Sequence, residues 1–250
     1  MRAMVLAAGL GTRLRPLTNH RPKALVEVAG RTLLDITLDR LRAFGIRDVI
    51  VNAHHFAGMI AEHLQNQTDV RISFEEILLD TGGGLQHAAW FFLESGSDEP
   101  FLVHNVDVIS NIDLARMVRF HIEHHALATL AVQARPTSRP LLFDPQGQLL
   151  RRAGSANSDQ PPGTRALAFC GIHVLSPRIF GKLTESGVFS IIDSYVRLAG
   201  EGEKIVAFPA GAYDWRDLGR PENLAQAARD LQTGKLAPDP GVVPIFETSG

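Results

Sequence analysis

The chain has 250 residues, 45% hydrophobic and 21% charged, the composition of a globular protein rather than a disordered or fibrous one. Its 25 Lys and Arg against 27 Asp and Glu give a formal charge of −2 with no basic block, which argues against a nucleic-acid partner. Apolar runs are strand-sized, well short of the roughly 20 residues a membrane span requires, and Met1-Arg2 leads straight into Ala3-Met4-Val5-Leu6 without the layout of a signal peptide. The single cysteine, Cys170, lies in the apolar run Leu167-Ala-Phe-Cys-Gly-Ile, so the expectation is a buried, inert thiol in a reduced, cytoplasmic protein.

Along the first half, strand-like runs at 4–8, 49–52, 70–74 and 101–104 alternate with segments of helical period at 33–44, 56–64, 85–93 and 114–125. Thr32 with Asp35 forms a capping-box signature, Leu34, Leu38 and Leu41 share a face, and Gly45 stands where a glycine ends a helix. Phe56, Met59, Ile60, His63 and Leu64 form a second apolar stripe. Such alternation predicts an α/β fold with a mixed, mostly parallel sheet flanked by helices, its ligands at the carboxyl ends of the strands.

After a strand at 128–132 the pattern changes. Residues 141–143, a Pro145-Gln-Gly147 turn and residues 148–150 read as a hairpin. A polar loop at 154–163 and a strand at 166–174 follow, so the stretch 135–175 is expected to be a small β-rich lid over one end of the sheet. A last helix is predicted over 221–231, with proline in its first turn. Residues 1–233 are read as one domain and 234–250, with Pro238, Pro240 and Pro244, as an irregular tail.

The stretch Leu6-Ala7-Ala8-Gly9-Leu10-Gly11-Thr12-Arg13-Leu14, followed by Arg21-Pro22-Lys23, carries the most chemical information. A strand running into small residues and glycines brings backbone amides close to a phosphate; Arg13 adds a forked cation and Lys23 a point charge. A dinucleotide fingerprint is disfavoured because Leu14 stands where its third glycine or alanine should be, and no Gly-Lys-Ser/Thr of a P-loop follows. The readings left are a nucleoside-triphosphate loop of another type and a plain tight turn between strand and helix.

These residues resemble the signature of the sugar-1-phosphate nucleotidyltransferases. The resemblance implies a Rossmann-like nucleotidyltransferase fold in which Leu6, Ala7, Ala8, Gly9, Gly11 and Thr12 wrap the nucleotide while Arg13 and Lys23 contact its phosphates. Three further segments match in order. His104-Asn105-Val106-Asp107 is similar to the segment whose aspartate binds Mg²⁺, with Val106 in place of the usual glycine. Asp80-Thr81-Gly82-Gly83-Gly84 resembles the loop beneath base and sugar, which implies Thr81, Gly82 and Gly83 as nucleotide-binding. Trp215-Arg216-Asp217-Leu218-Gly219 resembles the segment that supplies the second metal carboxylate.

The resemblance therefore implies Arg13, Lys23 and Asp107 as catalytic, Asp107 and Asp217 as metal ligands, and a nucleoside triphosphate, UTP first, with a sugar-1-phosphate as substrates. The short, single-domain members, such as the N-acetylmuramate-1-phosphate uridylyltransferases, are the most similar in layout. Longer members carry a lid lysine in a Glu-Lys-Pro segment that is absent here. Arg139, Arg151, Arg152 and Arg165 occupy that region, and Arg139 is taken as sugar-binding together with Asn105 and Gly171. Other readings are a mannose- or heptose-1-phosphate guanylyltransferase, a phosphocholine-type cytidylyltransferase, a silent nucleotide-sugar sensor and a dehydrogenase. The histidines at 54–55 and at 121, 124 and 125 lack zinc-ligand spacing and are read as solvated or helix-end residues, His54 alone being placed toward the cleft.

Overall fold

The computed structural model describes residues 1–153 and 161–234. In chain order, β1 (Arg2–Leu6) leads through two short 3-10 turns, Thr12–Leu14 and Lys23–Leu25, to a hairpin of β2 (Glu27–Val28) and β3 (Arg31–Thr32) and to α1 (Leu33–Ala43). There follow β4 (Asp48–Ala53), α2 (Ala57–Leu64), β5 (Val70–Phe74), α3 (Asp80–His87), α4 (Ala89–Leu93), β6 (Phe101–Asn105), β7 (Val108–Ser110), α5 (Leu114–Glu123) and β8 (Ala128–Gln133). The second half holds β9 (Leu141–Phe143), β10 (Leu149–Arg152), β11 (Arg165–Leu175), α6 (Ile191–Gly200), β12 (Ile205–Pro209), β13 (Trp215–Asp217) and α7 (Pro221–Gln232). Most of the polar loop expected at 154–163, and the tail beyond Gly234, lie outside the described residues.

The central sheet is mixed and mostly parallel, with path β10-β9-β11-β6-β1-β4-β5 and with β8 on the far edge of β11 followed by β12. β5, β4, β1 and β6 run parallel in register, whereas β11 is antiparallel to β6, β8 and β9. Successive residues of β1 enter opposite layers: Ala3 and Val5 pack with α1 residues Leu34, Leu38 and Leu41, and Met4 with Phe91, Phe101 and Tyr195. A strand buried on both faces must be continuously apolar, which is why 101–104 and 49–52 show no alternation in sequence.

Capping fixes the helix starts. Thr32 Oγ1 accepts from the Asp35 amide at 3.0 Å, as the capping box requires, Asp113 accepts from the Arg116 amide at 2.8 Å to open α5, and Pro221 stands in the first turn of α7. β1 ends two residues before the predicted limit because the Ala7 amide is taken by Asn52 Oδ1 at 2.7 Å instead of the ladder. The β-rich stretch expected at 135–175 holds β9, β10 and β11, which extend the central sheet, with β11 passing from β9 to β6 through an irregularity between Phe169 and His173.

The glycine run 82–84 gives the largest departure from the sequence reading. It forms the middle of α3, where loop-forming propensity is overridden by close packing. A Cβ on Gly82 would lie 2.3 Å from the Phe189 ring, one on Gly83 2.2 Å from the Gly187 carbonyl oxygen, and one on Gly84 2.6 Å from Glu75 Oε1. Gly83→Ala, which must displace backbone, is expected to cost about 1–3 kcal/mol in urea denaturation. Gly58→Ala, in α2 with open space around it, should instead gain about 0.5–1 kcal/mol.

Three histidines belong to the interior. His121 lies between Thr129 Oγ1 (2.9 Å) and Ser176 Oγ (3.0 Å), and burial pushes it down to about 4. Burial likewise lowers His104 and His173 to about 3, with the charge of Arg40 adding to the effect on His104. In the unfolded chain these rings titrate near 6.5, so below that pH the unfolded state binds protons that the folded state does not. Folding stability is therefore expected to hold above pH 7 and to fall between 6.5 and 4, by up to about 1.4 kcal/mol per pH unit for each ring. Urea midpoints measured from pH 7.5 to 5 check this, and a flat profile would contradict the buried, neutral assignment.

Candidate active site

The carboxyl ends of β1, β4 and β6 are tied together by polar groups that the sheet ladder leaves over. Asn52 receives the Ala7 amide and donates from Nδ2 to Glu75 Oε1 at 2.6 Å, and Glu75 Oε2 receives the Leu79 amide at 3.0 Å ahead of α3. The Val106 amide donates to the Leu6 carbonyl at 3.1 Å. Gly11, at φ +63°, turns the first loop back so tightly that a Cβ would lie 2.9 Å from Thr18 and 3.0 Å from Lys23 Cβ.

Two adjoining cavities open over these ends. One, of about 390 Å³, is lined by Leu6, Ala8, Gly9, Lys23, Asn52, Thr81, Asn105 and Asp107, with Leu78, Asp80, Val106 and Val188. The other, of about 300 Å³, shares Asn105 and Asp107 with it and adds Arg13, Arg139, Gly171 and Asp217. Not every expected residue reaches these walls. Ala7 is buried with its amide on Asn52, Gly11 and Thr12 shape the turn behind the wall, and Gly82 and Gly83 are buried against Phe189 and Gly187. The expected Thr81–Gly84 loop is a helix, of which the first two residues, Asp80 and Thr81, line the cavity.

Asp107 and Asp217, 110 positions apart, become neighbours through the small sheet of β7 and β13. Asp217 lies opposite Val108 in antiparallel register, and the Leu218 amide donates to the Asp107 carbonyl at 2.7 Å. Each carboxylate faces a cation. Lys23 Nζ donates to Asp107 Oδ2 in an ion pair only 12% and 16% exposed. Arg13 stands 3.8 Å from Asp217 Oδ2, while Oδ1 accepts from the Gly219 amide at 2.7 Å. A Cβ on Gly219 would lie 2.5 Å from Arg13 Nη2, so the glycine leaves room for the guanidinium in this position. Two hard carboxylate donors on one cleft, already balanced by positive groups, suit a hard divalent cation that takes one or two carboxylates and completes its shell with phosphate oxygens and water.

On the far wall Gly171, at φ +74°, sits where a Cβ would be 2.9 Å from Asn105 Nδ2, so the strand passes close to Asn105. Arg139 is exposed, and among the described residues its guanidinium has no hydrogen-bond or ion-pair partner. Arg152 also lines the second cavity but donates to Asp193 Oδ1 at 2.7 and 3.0 Å; Arg151 and Arg165 do not line either cavity. The Cys170 thiol is buried and pushed up to about 12 by that burial, against an opposing effect of Arg135. His54 Nδ1 pairs with the Glu75 carbonyl at 3.0 Å and is not on the wall of either cavity.

Sequence reasoning missed Asn52, Glu75, Asp80 and Arg135. The signal for Arg135 was present, a cation just after the strand at 128–132, but nothing local pointed it into the cleft.

The nucleotidyl transferase family profile matches residues 2–143. The chain is 36% identical over 249 residues to the N-acetylmuramate alpha-1-phosphate uridylyltransferase of Caulobacter vibrioides, covering 91% of this chain and 96% of that one. It is 28% identical to the mannose-1-phosphate guanylyltransferase of Mycobacterium tuberculosis over 96% of this chain and 67% of that one. The UDP-glucose pyrophosphorylase structure from Acinetobacter baumanii superposes with a TM-score of 0.75 at 20% identity, covering 94% of this chain and 95% of that one, a likeness of fold. With the loop, the paired aspartates and the sheet all on the same frame, the chain belongs to the nucleotidyl transferase family, among its sugar-1-phosphate nucleotidyltransferases.

Proposed function

We propose that the protein transfers a uridylyl group from UTP to N-acetylmuramate-1-phosphate or a related hexose-1-phosphate, releasing pyrophosphate, with Mg²⁺ held by Asp107 and Asp217. The observation that carries this reading is the seating of those two carboxylates beside Lys23 and Arg13, with Asp107 on the wall shared by two adjoining cavities. The uridine and muramate assignments rest on the 36% identity to the Caulobacter enzyme.

In this scheme an anionic oxygen of the sugar phosphate attacks the α-phosphorus of the triphosphate. A new oxygen–phosphorus bond forms, the bond from the α-phosphorus to the bridging oxygen breaks, and pyrophosphate leaves with that electron pair. At neutral pH the attacking oxygen carries no proton, so no general base is needed. The difficulty is repulsion between anions and charge build-up on the leaving group.

Lys23 and Arg13 oppose that charge, with backbone amides around Ala8 and Gly9 available to phosphate oxygens. Thr81 and Asp80 flank the nucleoside end, and Asn105, Gly171 and Arg139 face the sugar. Asp107 and Asp217 would hold Mg²⁺, which when bound would supply Lewis-acid stabilisation of the phosphates. A catalytically silent sensor would have no use for two carboxylates matched to two cations, which is why turnover is preferred over binding alone.

A second reading, transfer of guanylate to mannose-1-phosphate, is favoured by the 28% identity to the Mycobacterium enzyme. Pyrophosphate release from UTP, GTP and CTP, each with a panel of sugar-1-phosphates, decides between them. UTP with an N-acetylmuramate or hexose phosphate is expected to be the best pair. Asp107→Asn and Asp217→Asn should each lower kcat by about 100-fold or more. Absence of turnover with every pair would count against the whole assignment.

A further inference from the structure

Resting on the reading above, we propose that Arg135 is the fixed cation that receives the phosphate of the sugar-1-phosphate. Arg135 follows β8 and lines the second cavity together with Arg13, Asp107 and Asp217. Its guanidinium carbon lies 3.9 Å from the centroid of the Trp215 ring, and its Nη2 donates to the Phe169 carbonyl at 2.9 Å. Trp215 is itself fixed, since its Nε1 donates to the Cys170 carbonyl at 2.7 Å. Two consecutive carbonyls of β11, just before Gly171, thus hold a stacked guanidinium and indole against the cavity.

The charge balance singles this residue out. Around the cleft Lys23 is paired with Asp107, Arg13 faces Asp217 and Arg152 is held by Asp193. Arg135 has no carboxylate partner among the described residues, and its Nε is buried without a hydrogen-bond partner. Among the described residues Arg139 is also without an anion, but its guanidinium is exposed and has no partner, whereas Arg135 is oriented in advance. A guanidinium already immobilised by stacking loses little further freedom when it binds an anion, and its planar fork matches two phosphate oxygens.

Its position also suits the reaction. Trp215 stands two residues before Asp217 on β13, so the strand that carries the second carboxylate also carries the surface on which Arg135 lies. A phosphate held there would share the 300 Å³ cavity with both aspartates and Arg13.

The test separates a phosphate contact from a purely structural clamp on β11. In a Trp90→Phe background Trp215 is the single tryptophan, because the chain has two. Titration with inorganic phosphate and with α-D-glucose-1-phosphate should give a saturable change in its emission. Arg135→Gln is expected to weaken that binding, and to raise KM for the sugar phosphate, by about tenfold or more, with KM for the triphosphate within twofold and the thermal midpoint unchanged. Arg135→Lys, which keeps the charge and loses the fork, should fall between and serves should the glutamine variant not fold.

Equal phosphate affinity and equal KM in the variants would overturn the proposal, as would the absence of any phosphate-dependent signal in the parent. The two readings fail separately. Turnover that is indifferent to Arg135 removes this inference and leaves nucleotidyl transfer standing, whereas Arg135-dependent phosphate binding without turnover does the reverse.

Discussion

Everything at the candidate site depends on one backbone event, the pairing of β13 with β7. Two carboxylates placed side by side repel each other, and the pairing that brings Asp217 next to Asp107 must be offset locally. Lys23 and Arg13 provide the offset, one to each acid, so the substrate-free cleft is close to neutral around these four groups. A triphosphate entering such a cleft brings several negative charges with no unpaired acid to expel. The proposed divalent ion, together with the guanidinium groups of Arg135 and Arg139, is what restores the balance.

The sheet makes this arrangement rigid. β1 and β6 are parallel neighbours, so their carboxyl ends, Leu6 and Asn105, open side by side, and the residues immediately beyond them, the glycine loop and Asp107, meet over the same edge. Asn52 and Glu75 bind the amides of Ala7 and Leu79, which would otherwise be left without partners at the strand ends. These buried bonds fix where the first loop leaves the sheet and where α3 starts. The glycines of α3 then serve packing, since they let the segment 187–191 lie directly against the helix, with the Phe189 carbonyl accepting from the Gly82 and Gly83 amides.

Much of the fold was legible because periodicity and capping act locally. Thr32 with Asp35 marks the start of α1 by a bond that spans three residues, Pro221 marks that of α7 by its fixed φ, and β1, β4, β5 and β6 declare themselves by apolar runs. What could not be read locally is of a different kind. α6 is capped by Ser190, whose Oγ accepts from the Ile192 amide, and carries a stripe of Ile191, Tyr195 and Leu198 that buries only against the far layer of the sheet. The glycines at 82–84 look like a loop until Phe189, more than 100 residues away, is known to press on them. Asp107 and Asp217 were identified by motif, but their adjacency is a property of β-pairing that no spacing in the sequence encodes.

The same distinction explains why Arg135 escaped notice while Arg139 did not. Both are arginines in a stretch read as a lid, and composition treats them alike. What distinguishes them is tertiary: an indole from a strand 80 residues later, and a carbonyl from β11, hold one guanidinium still while the other extends into solvent. Electrostatic stabilisation is worth most when the charge is already in place before the substrate arrives, because no energy is then lost in reorganising it. An arginine stacked on Trp215 and bonded to the Phe169 carbonyl is ordered by the core. The scaffold that positions Asp217 therefore also holds Arg135 in place, and a single strand, β13, couples the two.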